Sequence, residues 1–227
     1  MSPRRSASLL LLVLPVSLAA CATRTAATRH FGKATEAQSD EALAAVASAQ
    51  ERAASLPAAR LLYDARIRGG KGPAVPGTLA VTYDGRDVAR ASLTGPFGSR
   101  VADYDAGSVT GQDKQALVVE PGALRAVLSG AWPGSPSAVE GCEGDECLVV
   151  WTGRVGVSAV VDLRERRIRS IVLDGDRGKL VVAYEGDADP WPQRVAASEE
   201  RSGRGLKLSL VGRELAGETA PSESPTP

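Results

Sequence analysis

Apolar and polar residues alternate one by one through most of this chain. Leu61, Tyr63, Ala65 and Ile67 are interleaved with Leu62, Asp64, Arg66 and Arg68. Leu79, Val81 and Tyr83 follow a loop rich in glycine and proline, and Ala89, Ala91 and Leu93 come next. A period of two puts alternate side chains on one side of an extended backbone, so each run predicts a strand with one buried face. The pattern continues in residues 101–109, where Asp103 and Asp105 fall on the wet face, and in a short stretch at 116–119. It resumes at 148–151, at Val155, Val157, Ala159 and Val161, at 168–173, and at Leu180, Val182 and Tyr184. Residues 195–198 and Leu206, Leu208 and Leu210 form a last pair. Asp84-Gly85 is a hairpin signal.

Two stretches break the period. Residues 35–56 are rich in alanine; Thr35 and Gln38 have capping-box spacing, Leu43, Val46, Ala47 and Ala54 form a thin apolar stripe, and Pro57 ends the run. This predicts a helix lying on a surface. Residues 121–128 open with Pro121 and carry Leu124, Val127 and Leu128 on one face, which predicts a short second helix. The fold class is therefore mostly β: roughly ten antiparallel strands in a single curled sheet, an open or half β-barrel covering the N-terminal helix and the mid-chain helix. Such a sheet leaves an apolar cavity. The candidate lining is Leu79, Val81, Leu93, Leu124, Leu128, Val157, Val161, Leu180 and Val182, positions that would equally fill a dry core.

The first residues read differently. Arg4 and Arg5 precede an apolar run that includes Leu9 to Leu14, too short to span a bilayer and placed as a secretion signal. Leu18-Ala19-Ala20-Cys21 resembles the lipobox of bacterial lipoproteins. The resemblance implies that Cys21 becomes an acylated N-terminus; the alternative is an ordinary signal with a chance cysteine. Two or more acyl chains make a stable anchor where one is marginal. Ala22, rather than Asp, follows Cys21, which under the sorting rule of enteric bacteria implies the outer membrane. The expected organisation is a signal peptide at 1–20, an acylated cysteine and flexible tether at 21–34, a folded domain at 35–215, and a disordered tail rich in Pro, Ser, Thr and Glu at 216–227.

Charge and composition narrow the chemistry. Lysine plus arginine equals aspartate plus glutamate, 27 each, so no basic excess points to nucleic acid. The only histidine, His30, lies in the tether, which leaves no Ser-His-Asp set and no enzyme signature. Cys142 and Cys147 enclose a tight acidic turn; in an exported chain this suggests a disulfide worth about 2 kcal/mol. No further cysteine or histidine is free to complete a zinc site, and no cofactor is implied. Asp174, Asp176 and Gly178 read as a polar hairpin turn rather than a calcium loop. Arg164, Arg166, Arg167 and Arg169 read as a solvated turn and strand edge, with a site for lipid headgroups as the lesser alternative.

The most telling stretch is Leu93-Thr94-Gly95-Pro96-Phe97-Gly98-Ser99, a glycine-proline turn with a large aromatic at its tip. Taken alone, Phe97 either folds back onto the core or stays out to enter something apolar. The turn resembles the Leu-Thr-x-Pro-Leu-Gly-Ser turn of the periplasmic lipid-carrier family of LolA and LolB, nearer to LolB, the outer-membrane receptor for lipoproteins. Arg68-Gly69 at the end of the first strand, the helix with Leu124 and Leu128 leading to Trp132, the stretch from Tyr184 to Val195 and the last strand follow in the family's order. The resemblance implies an exposed Phe97 which, with Pro96, contacts a membrane. It also implies a lipid-binding cavity, lipoprotein acyl chains as cargo, and a LolA-like carrier as partner. The scarcity of aromatics departs from the family and leaves open an envelope structural or interaction lipoprotein with a filled core.

Overall fold

The computed structural model describes residues 30–105, 108–111, 121–153, 156–175, 178–188 and 191–216. The secretion signal, Cys21, the tether up to residue 29, the stretch at 116–119, Val155, Asp176 and residues 217–227 of the tail lie outside the described residues.

The first helix, α1 (Glu36–Ala54), starts where Thr35 and Gln38 predict. The Gln38 amide donates to Thr35 Oγ1 at 3.2 Å, and the Thr35 amide donates to Gln38 Oε1 at 3.1 Å. Its buried face differs from the expected stripe. Ala42, Ala45, Val46, Ala49 and Ala53 turn inward, while Leu43, Ala47 and Ala54 are exposed. Alanine, not leucine, makes the contact because a small side chain lets the helix backbone approach the sheet closely. The second helix, α2 (Pro121–Ser129), buries Leu124, Val127 and Leu128 as expected.

Among the described residues the strands number twelve, all antiparallel and all in one sheet. They are β1 (Ala59–Gly69), β2 (Val75–Tyr83), β3 (Val88–Thr94), β4 (Arg100–Asp105), β5 (Ser108–Thr110) and β6 (Ala138–Glu143). Then come β7 (Glu146–Trp151), β8 (Gly156–Asp162), β9 (Arg167–Gly175), β10 (Gly178–Ala188), β11 (Pro192–Glu199) and β12 (Arg204–Leu215). Two corrections raise the expected number. The run at 101–109 is a hairpin of β4 and β5, not one strand. The strand β6 escaped the alternation because its register shifts between Val139 and Gly141, which breaks the period of two.

The spatial order is β5-β4-β3-β2-β1-β12-β11-β10-β9-β8-β7-β6. The first and last strands therefore pair in the middle, and among the described strands β5 and β6, neighbours in sequence, form the two edges. A flat sheet of this many strands would be about 50 Å wide. Yet Leu93 of β3, Val161 of β8 and Val46 of α1 share one continuous apolar core. The sheet is thus curled over its helices and left open between β5 and β6. On the helix side α1 packs against β6 to β9 and α2 against β11.

Because neighbours run antiparallel, the connections alternate between two ends of the sheet. The β1–β2, β3–β4 and β11–β12 turns share one end; the β2–β3, β6–β7 and β8–β9 turns share the other. The helix α1 lies across that second end: Gln38 Nε2 reaches the Gly144 carbonyl at 3.5 Å, and the chain just after the helix passes beside Gly85.

Candidate functional site

Strand register carries the expected lining residues to one surface. Leu79 of β2 lies opposite Leu93 of β3 and Tyr63 of β1. Val182 of β10 lies opposite Ile171 of β9, which faces Ala159 of β8, which faces Val149 of β7. Branched and small apolar side chains thus form continuous rows across the inner face, the arrangement in which cross-strand neighbours pack. Leu79, Val81, Leu93, Leu124, Leu128, Val157, Val161, Leu180 and Val182 are all buried in the same cluster.

Sequence reasoning missed the aromatic share of that surface. All four tyrosines, Tyr63, Tyr83, Tyr104 and Tyr184, are buried, as are Trp151 and Trp191. The signal was present, since Tyr63, Tyr83 and Tyr184 stand in phase with the apolar members of their strands. Tyr83 meets Trp191 edge to face, with ring centroids 4.9 Å apart. The Tyr63 and Tyr184 hydroxyls and the Trp191 indole nitrogen are buried without a hydrogen-bond partner among the described residues. Burial pushes the Tyr63 and Tyr184 phenols well above their ordinary value, so both stay protonated.

At the first end of the sheet, Pro96–Gly98 form a single tight turn between β3 and β4. The Gly95 amide donates to the Ser99 carbonyl at 2.7 Å, and Ser99 Oγ donates to the Pro96 carbonyl at 3.0 Å. These bonds close the loop without help from Phe97, whose side chain is fully exposed at 108% of its reference area. Phe97 also has φ 59° and ψ 25°, a left-handed conformation that a bulky side chain rarely takes. Pro96 beside it is half-buried. Val75, at the start of β2 and at the same end, is likewise exposed. The turn is seated by Gly77, where a Cβ would come within 2.3 Å of the Thr94 carbonyl oxygen.

At the second end, Cys142 and Cys147 face each other across the β6–β7 hairpin and form a disulfide. Gly32 pairs with Cys142 through two backbone bonds of 3.0 and 2.8 Å, so the segment before α1 covers part of the β6 edge. Nearby, Asp162 is buried at the end of β8. Its Oδ2 accepts from Arg169 Nε and Nη2 at 2.7 and 2.6 Å, and its Oδ1 accepts from the Glu165 amide at 2.8 Å. Burial opposes its ionisation, but the Glu165 amide and the Arg169 guanidinium outweigh it and hold the carboxyl below the usual range.

Two cavities lie at this second end. A cleft of about 490 Å³ is bounded by Ala44, Ala45, Ser48 and Arg52 of α1 and by Glu165, Arg166 and Arg167. A pocket of about 30 Å³ beside it is bounded by Arg52, Arg167, Tyr184 and others. Neither is lined by the nine aliphatic residues named above. His30 is exposed, and among the described residues no cluster of three or more His, Cys, Asp or Glu is placed to hold a metal ion. No described helix is long and apolar enough to cross a membrane.

No protein-family model matches the chain, and neither does any curated protein sequence. Solved structures do. A LolA superfamily protein from Nitrosomonas europaea aligns with a TM-score of 0.51 at 13% identity, over 75% of this chain and 93% of its own. A putative outer membrane lipoprotein-sorting protein domain from Vibrio parahaemolyticus aligns at 0.46 and 9% identity, over 80% and 95%. A DUF1329 family protein from Desulfovibrio piger aligns at 0.46 and 7%, over 81% and 95%.

Proposed function

We propose, from the fold this chain shares with the LolA superfamily, that it binds acyl chains against the inner face of its open sheet and passes them to a membrane. In this reading Cys21 anchors the protein by its acyl chains to the bacterial outer membrane, facing the periplasm. Residues 21–34 are the tether and 35–215 the carrier domain. Its role is LolB-like: it receives lipoproteins or lipids from a LolA-like carrier and inserts them.

The observation that carries the reading is Phe97. A large aromatic is fully exposed, at the tip of a turn that closes without it, in a backbone conformation that disfavours it. Exposed strain of this kind points to a function outside the fold. Burying a Phe side chain in an apolar phase is worth about 1.5–3 kcal/mol, enough to hold the tip in a bilayer transiently.

Native mass spectrometry of the full-length protein tests the cargo. A mass increment matching a phospholipid or acylated peptide, lost on denaturation, is expected; a clean apo mass with no uptake of added lipid would reject carriage. Phe97→Glu is expected to slow delivery to liposomes by about tenfold or more while leaving lipid binding unchanged.

A second reading has its own support. The nine aliphatic lining residues are buried in one continuous cluster, and the two cavities described lie elsewhere. A filled interior would make the protein an envelope structural or interaction lipoprotein, and the apo mass is its signature.

A further inference from the structure

We propose that the cleft between α1 and the β8–β9 turn binds a phosphate-bearing anion, held by Arg52, Arg166 and Arg167. The inference stands on this cleft alone and does not depend on acyl-chain carriage.

The cleft is built from two sides. From α1, Ala44, Ser48 and Arg52 follow at i, i+4 and i+8 and so share one face, with Ala45 beside them. Three of these four are small, which leaves a space of about 490 Å³ rather than a packed contact. From the other side the turn after β8 contributes Glu165 and Arg166, and the first residue of β9 contributes Arg167. Arg166 has φ 50°, a strained conformation that sets its side chain at the corner of the turn.

The charge in the cleft is not balanced. Glu165 is its one carboxylate, and two other cations already hold it: Arg167 Nε lies 2.5 Å from Oε2 and Arg169 Nη2 lies 3.3 Å from Oε1. Arg169 is in turn bound to Asp162. Arg167 also donates from Nη1 to the Gly186 carbonyl, which fixes its plane. Arg52 donates from Nη1 to Ser48 Oγ at 2.8 Å. Neither Arg52 nor Arg166 has a carboxylate within ion-pair distance among the described residues. Two guanidinium groups therefore face the cleft without a counter-charge, beside a third that is held rigid.

A second observation points the same way. The smaller pocket shares Arg52 and Arg167 with the cleft and is walled by Gly130, Gly186 and Tyr184. Tyr184 is only 8% exposed, and its hydroxyl has no hydrogen-bond partner among the described residues. A buried donor left unpaired is costly, and an acceptor oxygen would satisfy it. Three guanidinium groups and a serine hydroxyl line the cleft, and the pocket that adjoins it through Arg52 and Arg167 has Tyr184 in its wall. That donor set suits a group with several acceptor oxygens and a full negative charge, which a phosphate has.

The test uses full-length protein in nonionic detergent micelles, titrated calorimetrically with inorganic phosphate and with glycerophosphoglycerol. Saturable binding that weakens with added salt is expected. Arg52→Ala and Arg166→Ala should each weaken it about tenfold, the loss of one charge-assisted contact. Arg164→Ala, on the same turn but outside the cleft, should leave it unchanged. Flotation with phosphatidylcholine vesicles, with and without phosphatidylglycerol, then separates the sources. Retention by the anionic vesicles that requires Arg52 and Arg166 assigns the site to a lipid headgroup; binding of the soluble probes alone assigns it to a free phosphate compound. Either result upholds the site. Absence of saturable binding to any probe overturns it, as does equal weakening by Arg164→Ala, which would mark general surface charge. Unchanged melting of the Arg52 and Arg166 variants keeps loss of binding distinct from loss of fold.

Discussion

The two ends of this sheet are secured in opposite ways. At the end carrying the Phe97 turn, the loops are held by local hydrogen bonds, such as Ser202 to Glu199 and Trp151 to the Gly134 carbonyl, and by a tight backbone approach at Gly77, with no disulfide or buried ion pair among the described residues. At the other end several constraints overlap. The disulfide, the capped start of α1 and the buried Asp162–Arg169 pair all lie there. Overlap of this kind makes a region stable, and its absence leaves a region free to hold strain. The difference explains how a left-handed, exposed phenylalanine is tolerated at one end, where nothing else depends on it.

Five variants would sharpen or break that contrast. The largest effect is expected at Gly77. Its added Cβ would meet Thr94 oxygen at 2.3 Å, between two strands that cannot move apart, so Gly77→Ala should destabilise by about 3 kcal/mol, read as a drop in Tm. Gly141→Ala creates the same 2.3 Å approach against Gly32 oxygen. There the partner is a segment at the margin of the fold, which can swing away, and the expected loss is below about 1 kcal/mol, with faster amide exchange at Gly32 and Cys142. Equal losses in the two variants would show that the edge segment belongs to the cooperative core.

Next comes Asp162→Asn, expected to cost about 2 kcal/mol; the value is set below that of a fully buried ion pair because Arg169 is 39% exposed. The Asp162 carboxyl is held below its unfolded value, near 3.9. Its contribution is therefore full above that pH and drains away as pH falls through the folded value. Denaturant melts at pH 7 and pH 3 should show the gap between parent and variant closing at the lower pH. A gap that stays constant would mean that the carboxylate charge contributes nothing.

Replacing Cys142 and Cys147 together by serine should cost about 1–2 kcal/mol, since so short a loop restricts the unfolded chain little. The smallest effect is at the tip. Phe97→Asn should raise stability by about 0.5 kcal/mol, because asparagine accepts the left-handed conformation and no buried contact is lost. A destabilised Phe97→Asn would mean that the ring supports the turn, and the contrast between the ends would fail.

Much of this architecture was legible because alternation is a strong signal wherever strands pair without interruption. The inner-face positions of β1, β2, β8 and β10 were read correctly from period alone. The strand β6 was not, since a bulge at Glu140 shifts its phase and its glutamates resemble a loop. The helix face was misassigned for a related reason: hydrophobic weight favoured Leu43, whereas the contact needed side chains small enough for close approach. The tyrosines stood in phase but were passed over as too few to matter. The arginine cleft was the least legible part. It joins α1 to a turn more than a hundred residues away, and no local pattern reports which of four neighbouring arginines lacks a carboxylate.

The pairing of β1 with β12 has a consequence for how the protein is made. The strand synthesised last is the one that joins the two halves of the sheet, so the centre stays incomplete until nearly the whole chain has emerged. Contacts this distant in sequence form slowly, since a long loop must close before they are rewarded. The strands β1 to β5 and β6 to β11 can each pair with their sequence neighbours beforehand, so two half-sheets wait for one late strand to become a single sheet.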